Sequence, residues 1–182
     1  MSQSTNRGRA GVRRLVIWVV LSVLMVLVGV GLWAFQPWRL FTHSMVNEAL
    51  PPPAPGAPAE PGAPAEPIGP RVLAEGQFVT QEHETTGIAR VIELPDGARY
   101  VRLEGLSTSD GPDLHVWLTD QTAGGQWGKY DDGRYLALGK LKATGGNQNY
   151  AISADADLAG LTSVVIWCDR FNVAFGSAPL AL

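Results

Sequence analysis

The chain has very little sulfur and very little imidazole. Among 182 residues there is one cysteine, Cys168, with three histidines and three methionines. A single thiol excludes a disulfide within the chain. It is then a buried side chain, a free thiol, a link to a partner chain, or a ligand to a metal or cofactor. The methionines at 1, 25 and 45 lie far from Cys168, and no histidine follows it in a short loop. That excludes a standard blue-copper set of cysteine, two imidazoles and an axial methionine. There is no G-x-S-x-G elbow, no P-loop and no dinucleotide glycine pattern on a strand-to-helix turn. No metal set of standard spacing is present either; a lone thiolate as axial haem ligand stays open.

Long apolar runs are also scarce, with one exception. Leu15–Phe35 (LVIWVVLSVLMVLVGVGLWAF) carries no charge and reaches the ~20 residues that span a bilayer core as a helix. It is longer than the ~7–15 residues of a secretory apolar region, so it reads as an anchor in the lipid bilayer. Trp33 and Trp38 fall where an interface would lie. Arg7, Arg9, Arg13 and Arg14 precede the run, and only Arg39 follows closely. Positive charge stays inside, so residues 1–14 read as a cytoplasmic tail and the C-terminal part as extracytoplasmic. The expected location is the cell membrane, crossed once.

Residues 36–70 read as a juxtamembrane segment and linker rich in Pro, Ala, Gly and Glu, with GAPAEP twice in succession from Gly56 and Gly62. Such a stretch buries too little to form a core and is expected to be an extended, disordered stalk. Residues 71–182 then form one domain, long enough for a core of its own. Its nine Lys and Arg against fourteen Asp and Glu argue against a nucleic-acid partner.

That domain reads as all-β, a sandwich or barrel. Val72–Phe78, Gly87–Leu94, Tyr100–Leu106, Asp113–Thr119, Tyr135–Leu141, Asn149–Ile152, Val164–Trp167 and Phe171–Phe175 are the expected strands. Pro95-Asp96-Gly97 predicts a hairpin turn. In DLHVWLT, Leu114, Val116 and Leu118 face one way and His115 and Trp117 the other. Gly145-Gly146 reads as a break between strands, and Asp155–Leu161 as one helical turn. Cys168-Asp169-Arg170 permits two readings. A turn there leaves the sulfur accessible at a sheet end. One continuous strand carries it inward as a small apolar side chain. Arg170 would lower the thiol pKa and Asp169 raise it, while Asp113 or Asp169 is placed to orient a histidine.

The segments TSDGPDLHVWLT (Thr108–Thr119), LGKLKATGGNQNYAI (Leu138–Ile152) and VVIWCDRFNVAFGSAPL (Val164–Leu180), with HETTGIA (His83–Ala89) before them, resemble the DM-thirteen domain. This is the "electron transfer" domain found with DOMON domains. The resemblance implies a β-rich extracytoplasmic domain whose central cysteine works in redox. It does so as a naked thiol or by holding a prosthetic group such as haem. Cys168 stands at that position of the IWC-x-x-F pattern, with Trp167, Phe171 and His115 as residues that would shape or line the site. The redox partner protein is not identified by the sequence. The rival reading is a binding or scaffold module, not an enzyme, with a structural buried cysteine.

Overall fold

The computed structural model describes residues 5–36, 38, 42–52 and 69–182. The chain divides into two units, residues 1–39 and 40–182. The first holds the long helix α1 (Thr5–Phe35). Its stretch Gly11–Phe35 is long and apolar enough to cross a membrane. The helix begins well before the apolar run, because arginine is a good helix former.

The second unit is a β-sandwich. Its strands are β1 (Met45–Asn47), β2 (Arg71–Gln77), β3 (Val79–Thr80), β4 (Thr86–Glu93), β5 (Arg99–Ser107), β6 (Leu114–Thr119), β7 (Tyr135–Lys140), β8 (Gly145–Ile152), β9 (Ser163–Cys168) and β10 (Val173–Pro179). One sheet has the order β1-β8-β5-β4-β2 and the other β3-β10-β9-β6-β7. Local turn chemistry builds the β4–β5 hairpin. Gly97 takes φ +81°, and Asp96 Oδ1 accepts the N–H of Ala98 at 3.0 Å. The pairs then run from Glu93↔Arg99 to Thr86↔Ser107.

The core lies between the sheets. Ala89, Val91, Val101, Leu103, Tyr150 and Ile152 from the first meet Leu114, Val116, Leu118, Val164, Ile166 and Phe175 from the second. The outer faces differ. On the first sheet Arg90 bridges Glu75 and Glu104, and Arg102 joins Glu104, as suits a face in water. On the second sheet Trp117, Tyr130, Val165, Trp167 and Ala174 form another apolar cluster. Tyr130 comes from the Asp120–Arg134 loop, within a 3-10 turn at Lys129–Asp131, so that loop covers the outer face. All six residues of β9 are consequently buried, and its run Val164-Val165-Ile166-Trp167 is apolar without alternation.

Three expectations are corrected. Gly145-Gly146 does not separate strands; both residues open β8. They are glycine because β1 lies against them: a Cβ on Gly146 would sit 2.0 Å from the Val46 carbonyl oxygen, and one on Gly145 2.4 Å from Met45 Sδ. Asp155–Leu161 contains no helix but turns at 154–155 and 159–160, held by the Asp157 carboxylate on the Ala159 N–H at 2.9 Å. Phe171 is not in a strand; it lies in the turn before β10.

The β unit also takes in chain expected to be linker. β1 pairs parallel with β8, Met45↔Gly145 to Asn47↔Asn147. Ser44 and Thr144 exchange hydrogen bonds at 2.9–3.1 Å. Asn149 donates to the Ala49 carbonyl at 2.8 Å. The repeated proline-rich stretch falls within residues 53–68, outside the described residues.

Lys142 Nζ donates to both oxygens of Glu48, at 2.8 and 2.9 Å. That bond first, and the Asn149 N–H next, hold the Glu48 carboxyl below its ordinary value. The folded pKa is depressed. The stabilisation is therefore complete above the ordinary glutamate pKa of about 4.3 and lost as pH falls through the lower folded value. Lowering the pH to about 2 should release β1. NMR signals of Met45–Glu48 would leave their native positions before those of β4 and β5. Native β1 signals persisting at that pH would contradict this.

Candidate functional site

Cys168 is the last residue of β9, paired with Leu114 on β6 and Val173 on β10. Immediately after it the chain turns. The Phe171 N–H reaches the Cys168 carbonyl at 3.3 Å, and Asn172 takes a left-handed φ of +53°. The turn is present, yet the sulfur is buried: Cys168 has 0% exposure. Its side chain points into the core among Leu114, Ile166 and Phe175. The Asp110–Asp113 loop closes this end of the sandwich. A Cβ on Gly111 would lie 2.9 Å from Phe175 Cζ and 3.0 Å from Leu114 Cδ2, so a larger residue here would have to displace both side chains. Asp110 Oδ1 accepts the Gly111 N–H at 2.8 Å, fixing the loop locally.

Two opposed influences act on the sulfur. Burial pushes the thiol pKa up, and the charge of Glu82 adds to it. The backbone amides of Phe171, Arg170 and Asp113 pull the other way. Burial dominates, so the neutral thiol is the resting form. Arg170 thus acts on the sulfur through its backbone amide.

Successive strand residues face opposite sides, so Trp167 faces away from the sulfur. It is 1% exposed and packs with Trp117 at 5.1 Å and Tyr130 at 6.3 Å between ring centroids. Its Nε1 donates to Asp169 Oδ1 at 3.2 Å. His115 is the cross-strand partner of Trp167 and shares that face. Its Nε2 lies 3.1 Å from Asp113 Oδ1, which also accepts from Lys140 Nζ at 2.9 Å. The Lys140 bond, ahead of that from His115, holds the Asp113 carboxyl below its ordinary value. The structure therefore brings His115 and Trp167 together on the outer face and leaves Cys168 on the inner one. Phe171 sits in the turn, 42% exposed, and its amide rather than its ring bears on the sulfur.

Asp113, His115 and Asp169 place donor atoms within 4.8 Å of one another. One imidazole and two carboxylates are donors that Zn²⁺ or Mn²⁺ accept; here the Lys140 ammonium neutralises Asp113. A haem on Cys168 is a different matter. Axial ligation needs an open face at the sulfur. This sulfur is enclosed by packed side chains, with His115 on the outer face and the His83 ring tilted at 44° against Phe175, 4.0 Å between centroids. The residues present do not fit that group.

The family model for the electron transfer DM13 domain matches residues 77–180, more than half of the chain. The chain belongs to the electron transfer DM13 family. The DM13 match begins at residue 77, so β1 and all of β2 but Gln77 lie outside it. No curated protein and no solved structure shows significant similarity to the chain. Within the DM13 domain, sequence reasoning missed Tyr130 and Tyr135 as partners of the tryptophans. The alternation of DLHVWLT already set His115 and Trp117 on one face; Tyr130 and Tyr135 reach that face through a loop and a neighbouring strand, which carry no local signal.

Proposed function

We propose that this protein is a membrane-tethered, extracytoplasmic DM13 domain whose Cys168 thiol is a redox centre without a prosthetic group. The family match supports a redox role, and the uncharged run Leu15–Phe35 with arginines before it supports an anchor whose N-terminus is cytoplasmic. The observation that carries the thiol reading is the convergence of three backbone amides, from Asp113, Arg170 and Phe171, on a fully buried sulfur. Amide donors favour the electron-rich sulfur and so raise its potential, which reserves its oxidation for a strong one-electron oxidant. In the step, Cys168–SH gives one electron to an external one-electron oxidant and releases its proton to solvent water, leaving a thiyl radical.

The complete burial of Cys168 favours a second reading, a binding module with a structural cysteine. The full chain in detergent, oxidised by flash-generated tris(bipyridine)ruthenium(III) with a spin trap present, separates them. A thiyl adduct in the wild type that is lost in Cys168→Ser supports the redox centre. Identical spectra from the two proteins would overturn it and leave a difference in stability alone.

A further inference from the structure

The outer face of the second sheet carries an ordered set of aromatic rings. Trp167 is on β9, Trp117 on β6 and Tyr135 on β7, three adjacent strands. Trp117 is the Cα partner of Val165, two residues from Trp167, and of Ala137, two residues from Tyr135. The rings therefore step diagonally across the sheet, where large side chains reach one another. Trp167 and Trp117 are 5.1 Å apart at 32°; Trp117 and Tyr135 are 4.1 Å apart and stacked at 12°. Exposure rises along the series from 1% to 5% to 45%. The series thus begins one peptide unit from Cys168 and ends in water. Packing alone asks only for apolar volume, which Leu or Phe supplies. All three positions instead hold indole or phenol, the side chains that give up an electron most readily after thiolate.

We propose that Trp167, Trp117 and Tyr135 form a relay that carries one electron from Cys168 to the surface, where a one-electron oxidant of high potential takes it at Tyr135. This rests on the thiol redox reading above. The oxidant removes an electron from Tyr135 or the Trp117 stacked beneath it. The vacancy passes to Trp167 and is filled from the sulfur. Each ring ends as it began, the oxidant is reduced by one electron, and Cys168 loses one electron and its proton. The relay answers what the buried sulfur demands: no partner touches Cys168 directly, and the Asp120–Arg134 loop leaves Tyr135 uncovered.

The test uses the full chain in detergent, with the same ruthenium oxidant. The background variant is Trp127→Phe, which removes another exposed indole of the domain. Transient absorption follows the tryptophan and tyrosine radicals, and spin trapping follows the thiyl. In the background protein the ring radicals should decay as the thiyl forms. In Cys168→Ser they should persist. Trp117→Phe keeps a ring but not an oxidisable one, and thiyl formation should be lost. Tyr135→Phe keeps the exposed stack, needs no repacking, and should slow the reaction. Thiyl formed at an unchanged rate and yield in both ring variants would overturn the relay while leaving Cys168 as the redox centre. An absence of thiyl even in the background protein would overturn both.

Discussion

Replacing Trp167 with alanine is expected to cost about 3–5 kcal/mol of folding stability, the usual loss for a large buried aromatic. The side chain is 1% exposed and among the largest fully buried in the domain. It fills the space between the second sheet and the Asp120–Arg134 loop, against Trp117 and Tyr130. Relaxation into the cavity is limited, because β9 is held on both sides by β6 and β10. The substitution also removes the indole N–H from Asp169. A domain with about 5–15 kcal/mol in total would lose a large share. The urea midpoint should fall accordingly, and the near-ultraviolet dichroism of the tryptophan cluster should weaken. Glu84→Ala, at an exposed side chain, should stay within about 0.5 kcal/mol. Equal midpoints for the two variants would show that the outer cluster does not hold the sheet together.

Gly76→Ala should be nearly as damaging, by a different route. Gly76 pairs with Ala89 in the first sheet. A Cβ there would lie 1.9 Å from the carbonyl oxygen of Pro179, at the end of β10 in the second sheet. The obstacle is backbone and cannot swing aside. Relief requires the two sheets to part at this corner, at a cost of about 1–3 kcal/mol or more. The cost is steric, because Gly76 is not among the glycines with positive φ. Gly69→Ala, where a Cβ meets nothing within 4 Å, is the control and should leave the melting temperature unchanged. A Gly76→Ala protein that melts with the wild type would refute the close approach of the sheets.

Local pattern made the hairpins readable. Pro95-Asp96-Gly97 sets the β4–β5 turn, and the alternation of Leu114, Val116 and Leu118 against His115 and Trp117 assigns both faces of β6. What failed depended on distant chain. β1 is three residues long, and its register comes from bonds to Thr144 and Asn149, a hundred positions away. Gly145-Gly146 therefore read as punctuation when it was a seat for another strand. At Cys168 the sequence offered a turn with an accessible sulfur or a strand with a buried one. The structure has the turn and the burial together, because the Gly111 loop that closes this end of the sandwich comes from elsewhere in the chain. The expected strand Phe171–Phe175 starts only at Val173, because Asn172 is left-handed and keeps Phe171 in the turn.

The parallel seat of β1 has a consequence for the order of assembly. Closing a chain loop costs entropy that grows with its length, about 0.6 kcal/mol for each doubling. The β4–β5 hairpin closes over a few residues, whereas β1 must find β8 across a hundred. Few contacts reward that search until β8 already lies beside β5. Met45–Asn47 leaves the ribosome before every other strand of the domain and is expected to be among the last to take its place.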